Sequence, residues 1–257
     1  MRDRLRQMGR EARNSSAPII LVLASLVSAC AAVAGLKSWV SVGAAVAAVM
    51  SGGRLLRNEL IVPLRIRSTE NATLRIISGP WNDRSEPWTR GTAFQIGPHR
   101  WVTARHVING SDEIYVVLKG ENTAAQVLYE DEDTDLAVLS VSSEWAWQAK
   151  AARSAPDFGD KIKIIGWTSP PEPYRPALRI AFDYLVQGQG EADMIALTGP
   201  DPQLGFSGAP AIEMRSGRVV GILSEFQPAG EEKYRGAPKS VPIIFARHIS
   251  NIPAKYR

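Results

Sequence analysis

From Thr69 onward the chain is a succession of short stretches, apolar or alternating and often β-branched, each closed by turn residues, and this rhythm limits its possible folds more than any other feature. The stretches are Thr73 to Ile77, Thr92 to Ile96, Trp101 to Ala104, Glu113 to Leu118, Ala125 to Tyr129, Asp135 to Val141, Lys161 to Ile165, Met194 to Leu197, Ala209 to Met214 and Arg218 to Leu223. Gly97-Pro98, Lys119-Gly120, Ser169-Pro170-Pro171 and Ser216-Gly217 fall between them. Strands of this kind, about 8 to 15 residues apart with hardly any helical periodicity, predict an all-β barrel or sandwich. No repeat of solenoid period is visible.

The first fifty residues behave differently. Arg2, Arg4, Arg6, Arg10 and Arg13 give a basic arm over residues 1–16, and residues 17–36 then run for twenty positions without a charge. At about 1.5 Å per residue that run matches the roughly 30 Å hydrocarbon core of a bilayer. Lys37 and Ser38 interrupt it before a second apolar run from Trp39 to Met50, so residues 17–53 are expected as an α-helical membrane segment and 54–70 as a linker. A helical hairpin puts both arginine-rich flanks on the cytoplasmic face, in line with the positive-inside tendency, and is preferred. A single span is the second reading. The third is a lipoprotein anchor, because Val27, Ser28, Ala29 and Cys30 resemble a lipobox; the apolar run continues through Leu36, so Cys30 is read instead as a small buried residue.

Charge supports the same division. Of the net +4, residues 1–57 hold eight Lys/Arg against two Asp/Glu (+6), leaving 22 against 24 (−2) for residues 58–257. The basicity therefore belongs to the membrane-flanking arm, and a nucleic-acid groove on the larger part is not expected. The one cysteine excludes an internal disulfide and any zinc site with two or more thiolates.

Three segments carry chemistry. The run from Trp101 to Val107 ends an apolar strand on His106; Asp133 to Leu139 opens another on Asp135, with Asp133 as a rival acid; Gly205-Phe206-Ser207-Gly208-Ala209-Pro210 sets Ser207 in a glycine-flanked turn. Acyl transfer at a hydroxyl needs an imidazole to accept its proton and a carboxylate to fix the imidazole's tautomer. The chain order His106, Asp135, Ser207 is compatible with that chemistry. An α/β-hydrolase elbow would need glycine where Ala209 stands, and an acid and then a histidine downstream. His99 and His248 are read as surface residues.

GTAFQIGPHRWVTARHV resembles the strand-turn-strand that delivers the catalytic histidine in HtrA/Deg-type trypsin-like serine proteases. EIYVVLKGENTAAQVLYEDEDTDLAVLSV resembles their aspartate segment, GFSGAPAIEMRSGRVVGIL their nucleophile motif, and VPIIFARHI their closing strand. The resemblance covers roughly residues 71–250 within an expected protease domain of 71–257, and implies two six-stranded antiparallel β-barrels of chymotrypsin type with the site in their cleft. Ser207 would be the nucleophile, His106 the general base, Asp135 the orienting acid, and the N–H groups of Gly205 and Ser207 the oxyanion hole. Protein or peptide substrates, no metal or organic cofactor, a bacterial inner-membrane location and possible homo-oligomerisation follow from it. No PDZ domain is expected after the closing strand.

Phe206 departs from the family pattern, standing where activatable relatives carry an acid and HtrA types usually asparagine, so activation by a salt bridge there is not expected. Asp201, six residues before Ser207, is a candidate selector of basic P1 side chains. Ser224 and Phe226 are expected to line the same pocket, with the Phe226 ring narrowing it. The alternative to an enzyme is a catalytically silent protease fold acting as a binding or sensor module at the membrane.

Overall fold

The computed structural model describes residues 52–53, 56–79, 89–169, 177–189, 194–228 and 242–257. Two compact units are present, Met1–Pro63 and Leu64–Arg257. The expected membrane segment at 17–53 lies almost entirely outside the described residues, and among those described no helix is long and apolar enough to cross a membrane.

In the smaller unit Arg57–Ile61 forms a single π-helical turn. Helix α1 (Val62–Ala72) then leads into the larger unit, so the stretch 54–70, expected as a linker, is helical over much of its length. Contacts with residues distant in sequence hold the helix: Arg65 donates to the Ser216 carbonyl at 3.1 Å, Ser68 to that of Gln148 at 2.8 Å, and Ile66 packs on the core.

Two closed barrels follow. The first holds β1 (Thr73–Gly79), β2 (Thr89–Gly97), β3 (Arg100–Ala104), β4 (Glu113–Leu118), β5 (Glu121–Asp131) and β6 (Leu136–Val141), hydrogen-bonded in the order β1-β2-β3-β6-β5-β4. The second holds β7 (Lys161–Trp167), β8 (Arg179–Gln189), β9 (Met194–Thr198), β10 (Pro210–Glu213), β11 (Arg218–Gln227) and β12 (Ile243–His248), in the order β10-β11-β12-β9-β8-β7. Every pairing is antiparallel. This is the expected pair of six-stranded, chymotrypsin-like barrels.

Alternation assigns each strand residue to a core. On β6, Ala137, Leu139 and Val141 fill the first barrel, while Leu136 and Val138 point outward. There they meet Phe94 and Val102 from the same barrel and Ile165, Ile212, Val219 and Ile222 from the second. A strand between two cores is apolar on both faces, which is why its sequence is a continuous apolar run. The second barrel closes over Ile162, Ile164, Val186, Leu197, Val220 and Ile244. Each such side chain contributes about 1.5–3 kcal/mol when buried.

Strand β8 and the burial of His248 were not anticipated. Residues Ile180, Phe182, Tyr184 and Val186 of β8 face inward, but Ala181 and Leu185 on the outer face are apolar too, and Leu185 is 44% exposed. That blurs the period-2 signal. His248, read as a surface residue, is buried at the end of β12 because its strand pairs with Gly221 of β11.

Candidate active site

His106 and Asp135 meet because β3 and β6 are paired neighbours with Ala104 opposite Leu136. The ladder runs one bond further, Arg105 N–H to the Asp135 carbonyl at 3.0 Å, and there β3 ends in a single 3₁₀ turn, Arg105–Val107. Asp135 precedes β6 in a left-handed conformation, φ 50°, which aspartate tolerates better than most residues. Its carboxylate receives the His106 main-chain N–H on Oδ1 at 2.8 Å and lies 2.8 Å from His106 Nδ1 through Oδ2. One acid thus holds both the backbone and the ring of the histidine. The rival acid, Asp133, is exposed and its N–H is turned onto Asp131.

A third donor reaches the same carboxylate. The register of β11 against β12 shifts between Leu223 and Glu225, leaving Ser224 as the extra residue of a bulge. A bulge re-aims its side chain, and Ser224 Oγ donates to Asp135 Oδ2 at 2.5 Å. Ser224, expected only as a pocket residue, therefore also ties the second barrel to the acid of the first. Burial would raise the Asp135 carboxyl, but the hydrogen bonds from His106 and Ser224 and the His106 charge outweigh it and hold it below the ordinary aspartate value.

That shift has a sign in stability. A carboxyl lowered by folding stabilises the protein above its unfolded value, about 3.9, and the contribution disappears as pH falls through the folded value. Asp135→Asn should therefore melt below the wild type at pH 7, with the gap closing as pH falls below about 4. Thermal melts followed by circular dichroism across that range check it; a gap independent of pH would contradict it.

Ser207 lies in the turn that leads into β10. Gly205 (φ 96°) and Gly208 (φ 85°) flank it in the left-handed region, and neither could carry a side chain. A Cβ at Gly205 would strike the Trp167 carbonyl, and one at Gly208 the Thr92 carbonyl. Backbone bonds to neighbouring segments help pin the turn, among them Thr92 N–H to the Ser207 carbonyl at 2.9 Å, Gly208 N–H to that of Leu223 at 2.8 Å, and Ser169 N–H to that of Leu204 at 2.6 Å. The N–H groups of Gly205 and Ser207 donate to no group among the described residues. The Ser207 hydroxyl makes no hydrogen bond to a described residue either.

Phe206 explains how the turn does without an acid at this position. Its ring is 1% exposed, stacked 5.7 Å from Phe182 and pressed onto Gly166, where a Cβ would come within 2.6 Å. Apolar burial occupies the place of a salt bridge. Phe206→Ala should cost about 3–5 kcal/mol by leaving a cavity, measured by chemical denaturation; a cost under 1 kcal/mol would show that the ring is not an anchor.

Beside the turn is a cleft of about 220 Å³ lined by Pro202, Leu204, Ser207, Leu223, Ser224 and Phe226, among others. Ser224 and Phe226 stand on its wall. Asp201 is exposed and is not among the lining residues. Its charge acts on Tyr184, whose phenol is pushed above its ordinary value by burial first and by Asp201 second. Among the described residues no cluster of side chains is suited to hold a metal ion.

Two closed barrels with a half-buried acid, a histidine and a glycine-framed serine at their junction describe a chymotrypsin-like protein. Residues 91–222 match the trypsin-like peptidase domain, and the chain belongs to that family. It is 26% identical to the serine protease Rv3671c of Mycobacterium tuberculosis over 165 residues, 62% of this chain and 41% of the relative. It is 30% identical to Protease Do-like 2, chloroplastic, of Arabidopsis thaliana over 93 residues, 34% and 15% of the two chains. The chain thus spans less than half the length of these curated relatives. In fold it is similar to the active form of the Rv3671c protease, with TM-score 0.57 and 20% identity, covering 76% of this chain and 82% of that one. The serine endoprotease from Yersinia pestis is similar too, at TM-score 0.56 and 20% identity, covering 74% and 63%.

Proposed function

We propose that the protein is a serine endopeptidase that hydrolyses peptide bonds through an acyl-enzyme, anchored to a membrane by its N-terminal apolar segment. The observation that carries the reading is the His106–Asp135 couple, held at both backbone and ring next to a serine turn whose Gly205 and Ser207 N–H groups donate to no described residue. Ser207 Oγ attacks the scissile carbonyl carbon as His106 Nε2 takes its proton. The oxyanion forms against the N–H groups of Gly205 and Ser207. Collapse expels the amine, which leaves with the proton from His106, and Ser207 is acylated. Water, deprotonated by His106, then releases the acid and restores the serine. Asp135 keeps the proton on Nδ1 and stabilises the imidazolium. The Ser207–His106 hydrogen bond forms as substrate enters, since such bonds are often long in free enzymes.

The cleft suits an apolar P1 side chain. Leu204, Leu223 and Phe226 line it, and Glu225, the one acid among its described lining residues, pairs with Arg247 at 3.4 Å. Asp201→Ser should therefore leave the P1 preference unchanged in a peptide-library profile; loss of cleavage after Lys or Arg would return Asp201 to the pocket.

Full-length protein in detergent micelles should cleave unfolded casein, and a fluorophosphonate should stop it. A folded preparation that neither cleaves nor labels would overturn the enzymatic reading in favour of a silent binding module. The anchor places lipid among the partners and, by the hairpin reading, the peptidase on the cytoplasmic side of a bacterial inner membrane. Protease accessibility of a C-terminal tag in intact cells tests that placement.

A further inference from the structure

Thr92, on β2 of the first barrel, grips the serine turn of the second through its main-chain N–H and its hydroxyl. Its N–H donates to the Ser207 carbonyl at 2.9 Å, and its hydroxyl donates to the Gly205 carbonyl at 2.8 Å. The same hydroxyl accepts the Trp167 N–H at 2.9 Å, and the Thr92 carbonyl accepts the Thr103 hydroxyl at 2.8 Å. The residue is 0% exposed, so water does not compete for these bonds. A hydroxyl has one proton, and Trp167 is a donor; the proton must therefore point at Gly205.

The consequence falls on the N–H groups of Gly205 and Ser207. The peptide that carries the Gly205 N–H is held through its other end, the Leu204 carbonyl, by Ser169 N–H at 2.6 Å. The peptide that carries the Ser207 N–H lies between the two whose carbonyls Thr92 holds. Gly205, at φ 96° and without a side chain, is the pivot about which these planes would turn. With Trp167 on one side of the hydroxyl and Gly205 on the other, the strap at Trp167 to Ser169 and the turn move as one body.

We infer that Thr92 is a positioning residue for the oxyanion hole. Its hydroxyl bridges the Trp167 N–H and the Gly205 carbonyl and so keeps the donors of Gly205 and Ser207 aimed where the oxyanion forms. The inference rests on the peptidase reading above for its kinetic effect, though not for the geometry itself. Thr92 makes no part of the cleft wall, so the effect belongs to the transition state and not to substrate binding.

In full-length protein, Thr92→Val keeps size and main-chain N–H but removes the bridge, and Thr92→Ala does so without a methyl against Trp167, in case the valine variant melts below assay temperature. Loss of one oxyanion donor costs about 10²–10³ in kcat, and a misaimed pair is expected to cost about 10–100-fold with KM within about threefold. Thr92→Ser should restore kcat to within about threefold of the wild type, because its hydroxyl has the same reach. Selective ¹⁵N-glycine and ¹⁵N-serine labelling should show the Gly205 and Ser207 amide resonances displaced in the valine and alanine variants and recovered in the serine variant. Wild-type kcat in both hydroxyl-free variants, or a serine variant as impaired as they are, would overturn the inference. A wild type that cleaves nothing would sink the peptidase reading instead; the amide resonances then decide, and unchanged resonances without the hydroxyl overturn the clamp.

Discussion

Ser207→Ala should lower kcat for peptide cleavage by about 10⁶, leaving only what substrate binding and the oxyanion donors supply. Without Oγ no acyl-enzyme forms, and His106 has no hydroxyl proton to accept. Substrate contacts in the cleft are untouched, so KM should stay within about threefold. The fold should be indifferent, because the hydroxyl makes no hydrogen bond to a described residue and the turn is pinned through backbone groups. Steady-state kinetics with a fluorogenic peptide and a thermal melt of the same sample check both halves. A variant that keeps more than about one per cent of kcat would remove Ser207 as nucleophile.

Asp135→Asn should cost about 10⁴ in kcat, the size of effect seen when an amide replaces the acid of such a couple in another protein of this fold. The carboxylate receives the His106 N–H on Oδ1, and its Oδ2 faces both His106 Nδ1 and the Ser224 hydroxyl. Asparagine has only one acceptor oxygen. If that oxygen keeps the main-chain N–H, the amide NH₂ faces the imidazole and must donate to Nδ1. The ring proton then sits on Nε2, which can no longer take the proton from Ser207. The loss should appear in kcat with little change in KM, and raising pH should restore little of it, because the fault is the tautomer. An Asp135→Asn enzyme within tenfold of the wild type would show that the acid does not govern the ring.

The barrels were legible because most of their strands carry their pattern openly. Strands β3, β6 and β10 are apolar on both faces, one for their own barrel and one for the junction. Strand β8 hid, since Ala181 and Leu185 put apolar residues on its outer face. Helix α1 hid as well: Arg65, Arg67, Ser68 and Glu70 make it look like a polar linker, and what orders it is contact with Ser216, Gln148 and the junction core, residues distant in sequence.

Of the site, His106, Asp135 and Ser207 stood out because each sits beside an apolar strand in an informative local motif. Ser224 was placed only on the pocket wall, since a bulge is set by the register of β11 on β12 and leaves no mark in composition. Thr92 gave no signal at all: within Gly91-Thr92-Ala93-Phe94 it reads as an ordinary β-branched strand residue, and only barrel closure brings it against a turn 113 residues away at Gly205. Asp201 drew notice by its distance from Ser207 in sequence; the described lining of the cleft includes Pro202, Gln203 and Leu204 but not Asp201.

The central claim, that Ser207 is acylated during turnover, is tested most directly by mixing the full-length protein with a p-nitrophenyl ester and quenching in acid for mass spectrometry. The account predicts a mass increase of one acyl group, mapped to Ser207 and absent in Ser207→Ala. Continued ester or peptide turnover with Ser207 unmodified, or an adduct on another residue, would contradict it.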